Sequence, residues 1–168
     1  MSFWDHLEEL RGVLFRSVLA LLGFTVLGLI FKNFLFDEII LAPTKRDFVI
    51  YSLLGWDFSI DLINVDLSAQ FFTHLKASVA VGFVLAFPFM IWEVWKFVLP
   101  ALYNNEKKAL RVVFLMASVL FYVGVAVGYF LVLPVCLRFF MTYTVSADVL
   151  NSITLSSYMS MFSSMVLL

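Results

Sequence analysis

Apolar positions fill four stretches of this chain, and the charged positions gather between them. Ser17–Phe31 carries no charge, and it lengthens at both ends when Arg16 and Lys32 snorkel to the interfaces. Ala77–Trp92 and Val112–Leu137 are likewise uncharged, and a further apolar run starts near Leu155 and continues to Leu168. Crossing about 30 Å of hydrocarbon takes about 20 apolar residues. The pattern predicts an all-α integral membrane protein, a polytopic transmembrane helix bundle. Its spans fall at about 14–36, 72–99, 108–134 and from 155 to 168. A long loop (37–67) joins the first two, and a short one (100–107) joins the next two. The last run reaches Val166-Leu167-Leu168 without a charged flank, whereas spans usually close with one. Residues 1–168 are therefore expected to be one membrane domain, incomplete at its C-terminus.

The leading segment has Asp5, Glu8 and Glu9 where a signal peptide has basic residues, and no small-x-small site follows Phe31. The first run is thus expected to be retained. Ser2–Leu14 reads as a short amphipathic helix along the interface, with Phe3, Leu7, Leu10 and Leu14 on one face and Trp4 at headgroup level. In the long loop, Pro43 and Gly55-Trp56-Asp57 mark turns, and alternation across Phe58–Leu62 and Ile63–Leu67 predicts short extended pieces. Its apolar content points to a packed cap. Pro88 should bend the second span, and Pro100 should end it. Asn104 or Asn105 can cap the third. Gly124 and Gly128 form a GxxxG that permits close helix contact.

Composition sharpens this reading. The chain is 63% hydrophobic and 14% charged, against about 45–50% and about 25% in soluble domains. A soluble fold of this length has too little interior for that load and is excluded. A net charge of -1 supplies no bulk attraction to nucleic acid. Cys136, alone, makes neither an internal disulfide nor a zinc cluster. No Walker loop, nucleophile elbow, HExxH or Cys/His cluster is present, so no enzyme, cofactor or metal is expected. Loop cations set the orientation: Lys96, Lys107, Lys108 and Arg111 are densely placed, while Lys32, Lys45, Arg46 and Lys76 are spread out. The N-terminus and loop 100–107 are accordingly expected in the cytoplasm, with Trp92 and Trp95 in the aromatic belt. Charges that invite a functional reading (Glu8, Glu9, Arg11, Glu93, Lys96 and Glu106) then share the cytoplasmic rim. Glu93 and Lys96 read first as an i,i+3 pair, and Arg11 equally as a headgroup anchor paired with Glu8.

Three blocks carry a family resemblance. Asp5-His6-Leu7-Glu8-Glu9-Leu10-Arg11 opens the chain. Phe71-Phe72-Thr73, Lys76 and Pro88 lead to Trp95-Lys96-Phe97-Val98-Leu99-Pro100-Ala101-Leu102-Tyr103-Asn104-Asn105-Glu106-Lys107-Lys108. Phe121-Tyr122-Val123-Gly124, Tyr129-Phe130 and Pro134 follow. In order and spacing they resemble TatC, the multi-span core and receptor subunit of the twin-arginine protein translocase. The resemblance implies six spans, of which this chain supplies three and the start of a fourth, in the cell inner membrane with a cytoplasmic N-terminus. It implies a subunit that binds twin-arginine signal peptides. With TatA/TatB-type single-span partners, it would export folded proteins on the proton-motive force. Self-association within the bilayer is also open. Glu9, Arg11, Phe97 and Glu106 match family positions tied to signal-peptide binding. Carboxylates suit two guanidiniums as planar acceptors, and an aromatic face adds cation–π contact. Two departures stand out: Val13 replaces a frequent second basic residue, with Arg16 one turn on, and Thr44–Asp66 has no close match. Other classes remain. A secondary transporter would need ionisable or broken-helix features at mid-membrane, and a membrane assembly scaffold would rest on the GxxxG.

Overall fold

The computed structural model describes residues 3–57, 59–101, 104–143 and 152–167. Helix α1 spans Phe3–Ile30, and a short turn, α2 (Lys32–Phe34), feeds a π-helix at Leu35–Ile40 and a 3-10 turn at Ala42–Thr44. Then come α3 (Val49–Leu54), strand β1 (Leu62–Ile63) and the long α4 (Ala69–Val98). A 3-10 turn at Leu99–Ala101 precedes α5 (Asn104–Val127), which runs through a π-turn at Gly128–Val132 into α6 (Leu133–Thr142). Strand β2 (Ile153–Thr154) and α7 (Leu155–Leu167) follow. Among the described residues, three segments are long and apolar enough to cross a membrane: His6–Ile30, Ala69–Val98 and Lys107–Thr142.

The expected interfacial helix does not exist as a separate element. Ser2 lies outside the described residues, and from Phe3 the backbone is helical without interruption into the first span. Between Phe3 and Leu14, Gly12 is the one weak helix former, and a single glycine costs about 1 kcal/mol, too little to break a helix. Polarity is inverted relative to a soluble helix. Leu7, Leu14, Phe15, Val18, Leu22 and Val26 are exposed, while Val13 and Thr25 are buried.

The buried stripe of α1 packs antiparallel on α4 through small residues. A Cβ added to Gly82 would lie 2.7 Å from Thr25 Oγ1 and 2.9 Å from its backbone nitrogen. One added to Gly28 would lie 3.2 Å from Ser78 Cα. The GxxxG of the third span is used only in half: Gly128 meets the Met165 carbonyl of α7, and Gly124 has open space around it. Close contact with α4 thus falls on glycines that form no motif.

Proline effects are absorbed locally. Pro88 sits inside an unbroken α4, but it has no N–H for the carbonyl four residues back. That carbonyl, Val84 O, accepts the Tyr122 hydroxyl of α5 at 3.0 Å. Pro100 falls in the turn that follows α4. Ahead of Pro134, the N–H of Leu133 reaches back five residues to the Gly128 carbonyl. This wider turn lets the helix continue through Pro134 to Thr142.

The first loop is a packed cap, as its apolar content predicts. Tyr51, Ile40, Phe48 and Ile60 are buried. Gly55 adopts φ +64° and ends α3 at the expected turn. Of the two extended pieces only Leu62–Ile63 forms a strand, pairing in parallel with Ile153–Thr154; Phe58 lies outside the described residues. A π-helix end leaves carbonyls unpaired, and tyrosines fill them. Tyr129 donates to Ile39 O at 2.6 Å, Tyr158 to Ile40 O, and Tyr51 to Pro43 O at 2.5 Å. The main core, with Leu35, Ile40, Leu133, Leu137, Tyr158 and Phe162, therefore sits at the cap end.

Two outcomes follow. Gly82→Val should destabilise the protein by about 1–3 kcal/mol, because overpacking forces α1 off α4, whereas Gly124→Val should be near neutral; thermal unfolding in detergent would separate them, and equal effects would refute the close contact. Burial pushes the Tyr51 phenol up to about 12. Its neutral form stabilises the cap below the ordinary value of 10.0, and that contribution is lost as pH rises through about 12. The alkaline unfolding curve should lose part of its slope in Tyr51→Phe.

Candidate functional site

The second polar cluster lies at the other end of the α1–α4 pair. Helical periodicity puts His6, Glu9, Val13 and Arg16 on one stripe of α1. His6 stacks on Phe97 of α4, with centroids 4.3 Å apart and planes at 22°. One turn on, Glu9 is half-buried, and its Oε2 is shielded from solvent with no hydrogen-bond donor. Val13 is 4% exposed. A cation at that position would face α4 and not water, which accounts for the departure from the basic residue frequent in the resembled family.

Arg16 holds the cation instead. Its Nε donates to Glu93 Oε2 at 2.6 Å, and Lys96 Nζ donates to Glu93 Oε1 at 3.1 Å. Glu93 is 2% exposed, so its carboxylate faces these two cations and not solvent. The two cations are about half exposed and carry their outer N–H groups toward the surface. Gly12 leaves room for this: a Cβ there would come within 3.4 Å of Arg16 Nη1. Lys96 also lies 5.8 Å from the Trp92 ring, and Trp95 meets Phe114 of α5 edge-on at 5.4 Å.

The structure thus brings Glu9 and Phe97 to one seam through His6. Arg11 stands apart. It is exposed, and no ion pair with Glu8 forms among the described residues. Glu106 falls in the first turn of α5, nine positions after Phe97 in sequence, and its side chain lies outside the described residues, as do those of Asn104 and Asn105. The Glu93–Lys96 pair was legible at i,i+3, but its link to Arg16 was not. The available signal was one charge of each sign, both inside apolar stretches and near the same end of consecutive antiparallel spans.

Chemically the two carboxylates differ. Glu93 has a donor on each oxygen and is saturated. Glu9 keeps one buried oxygen without a donor, which costs free energy until a donor arrives. A guanidinium fits that need, since it is planar and offers paired N–H groups. Among the described residues no group of three or more His, Cys, Asp or Glu side chains could hold a metal.

A multi-pass helical bundle with its ionisable groups gathered at the two ends of a helix pair defines a polytopic membrane protein. The chain belongs to the TatC family: the family model described as Sec-independent protein translocase protein (TatC) matches residues 5–168. The family is a component of protein transport and not an enzyme. A relative of that name in Blattabacterium sp. subsp. Periplaneta americana is 35% identical, over 96% of this chain and 66% of its own length. One in Desulforapulum autotrophicum is 36% identical, over 98% of this chain and 57% of its own length. A crystal structure described as the twin arginine translocase receptor TatC superposes with a TM-score of 0.75 at 29% identity, covering 96% of this chain and 67% of that one. The chain therefore spans between about half and two thirds of the length of these curated relatives.

Removing Arg16 leaves the buried Glu93 with Lys96 alone. Breaking a buried pair typically costs 3–5 kcal/mol, and because Arg16 is half exposed we expect Arg16→Leu to cost about 1–3 kcal/mol. Glu93→Gln should be milder, and the double variant less destabilised than the sum of the two. Strict additivity in a double-mutant cycle would show that the pair contributes nothing.

Proposed function

We propose that this chain forms the signal-peptide-receiving part of a twin-arginine translocase core, in the cell inner membrane with its N-terminus in the cytoplasm. The observation that carries the reading is Glu9: a carboxylate oxygen out of water, without a donor, one turn from the His6–Phe97 stack. In a TatC chain such an acceptor suits an arginine from outside.

On this reading one guanidinium of the signal peptide donates to Glu9 and the other to Glu106, while Phe97 offers its ring to whichever lies nearer. Charge-assisted, bidentate bonds are the stronger kind. At a half-dry seam they should exceed the ~0–1 kcal/mol of an exposed ion pair, and cation–π contact adds about 0.5–2 kcal/mol. Lysine keeps the charge and loses the fork, so a Lys-Lys peptide should bind more weakly. Arg11 meets the peptide from the exposed side of α1. Arg16 and Lys96 are held by Glu93 and so do not compete for Glu9. Export of folded proteins would then involve TatA/TatB-type single-span subunits and the proton-motive force.

Photo-crosslinking from positions 9 and 106 of the full-length protein in membranes tests this. Crosslinks to an Arg-Arg signal peptide should fall about tenfold or more with a Lys-Lys control. Equal labelling of both peptides, or none in a well-inserted protein, would remove the site.

A further inference from the structure

The opposite end of the α1–α4 pair holds a cavity of about 430 Å³. Its polar lining comes from Lys32 and Asn33 just after α1, Asp37 in the π-helix, and Gln70 and His74 in the first turns of α4. Phe36 and Phe71 are among its apolar walls. The cavity therefore lies where two membrane-spanning helices leave the apolar layer, with polar groups and aromatic rings side by side.

Its charges, Lys32 and Asp37, are exposed, and neither makes an ion pair among the described residues. Lys45 reaches Asp37, but through the backbone carbonyl at 2.6 Å, which leaves the carboxylate open. His74 adds an independent sign: its Nε2 is shielded from solvent and bonded to nothing. Its ring is held edge-on by Phe36 at 5.6 Å and 68°. A cation, an anion and a histidine whose Nε2 has no partner thus line one cavity and do not neutralise one another.

A ligand matching this lining carries a negative and a positive group a few bonds apart and has an apolar continuation. We propose that the cavity binds the headgroup of an ethanolamine phospholipid. Lys32 and the His74 Nε2–H take the phosphate, with the Asn33 and Gln70 amides beside them, and the Asp37 carboxylate takes the ammonium. The acyl chains leave along Phe36 and Phe71. Basic pockets between membrane helices are a recurrent way to hold lipid headgroups, and the acidic residue here selects a zwitterion over an anionic headgroup. The site is independent of the Glu9 seam at the other end of the helix pair.

Native mass spectrometry of the full-length protein tests the proposal with phosphatidylethanolamine, phosphatidylglycerol and inorganic phosphate as separate probes. Phosphatidylethanolamine should be retained in preference to both others. Lys32→Gln and His74→Ala should each weaken its retention about tenfold, while Asp37→Asn should erase the preference over phosphatidylglycerol. A photoactivatable phosphatidylethanolamine should label Phe36–Leu41 or Gln70–His74 in the unmodified protein, a readout that depends on no variant folding. Retention unchanged by these substitutions, labelling elsewhere, or occupancy by inorganic phosphate at lipid's expense would overturn the assignment.

Discussion

A polar group withdrawn from water inside a lipid-embedded fold must find a partner within the protein, and most of this architecture answers that demand. The buried Glu93 carboxylate draws Arg16 from α1 and Lys96 from its own helix. The Val84 carbonyl, left open by Pro88, draws Tyr122 from α5. The carbonyls of Ile39 and Ile40 draw Tyr129 and Tyr158 from α5–α6 and α7. All but the Lys96 bond tie two elements that apolar packing alone would leave free to slide, because lipid is as apolar as the side chains that face it. Small residues finish the work by letting the α1 and α4 backbones approach at Gly28 and Gly82.

Against that pattern the exceptions carry information. Among the described residues three buried side-chain atoms lack a partner: Glu9 Oε2, His74 Nε2 and Ser78 Oγ. Ser78 sits where Gly28 closes on α4, and a neutral hydroxyl in such a contact serves packing. Glu9 and His74 are different, since both are ionisable and they lie at opposite ends of the same helix pair. One is a bare acceptor beside an aromatic stack, and the other a bare ring nitrogen beside a cation and an anion. The α1–α4 pair thus carries one unpartnered ionisable group near each of its ends. The Glu93 ion pairs tie it near one end, and the tyrosine hydrogen bonds of the cap lie at the other.

Much of this was legible in the residues. Uncharged runs marked the long helices, because a span must be apolar along its whole length. The Gly55 turn and the stop at Pro100 followed from backbone chemistry that acts within a few residues. The rim blocks around Glu9 and Phe97 carried the family resemblance, and the structure joins those two positions through His6. Reading failed where local rules were overruled. The interfacial helix expected ahead of the first span runs on into it, since one weak helix former, Gly12, cannot outweigh the turns on both sides. The third span was expected to close at about 134 and runs on to Thr142, since a π-turn shifted the hydrogen bonds ahead of Pro134. The burial of Glu93 was not legible, because burial depends on what α1 brings against it.

By itself, then, the sequence determined the membrane class, the approximate helices and the family, all of which rest on composition and short-range periodicity. Only the tertiary structure decided which polar groups meet. Arg16 and Glu93 are separated by 77 residues, and Tyr158 and Ile40 by 118. No periodicity encodes such pairs. In a helix whose faces are nearly all apolar, the pattern does not say which face meets a neighbour and which meets lipid. The choice is made by close backbone contact and by the need of each buried polar atom for a partner.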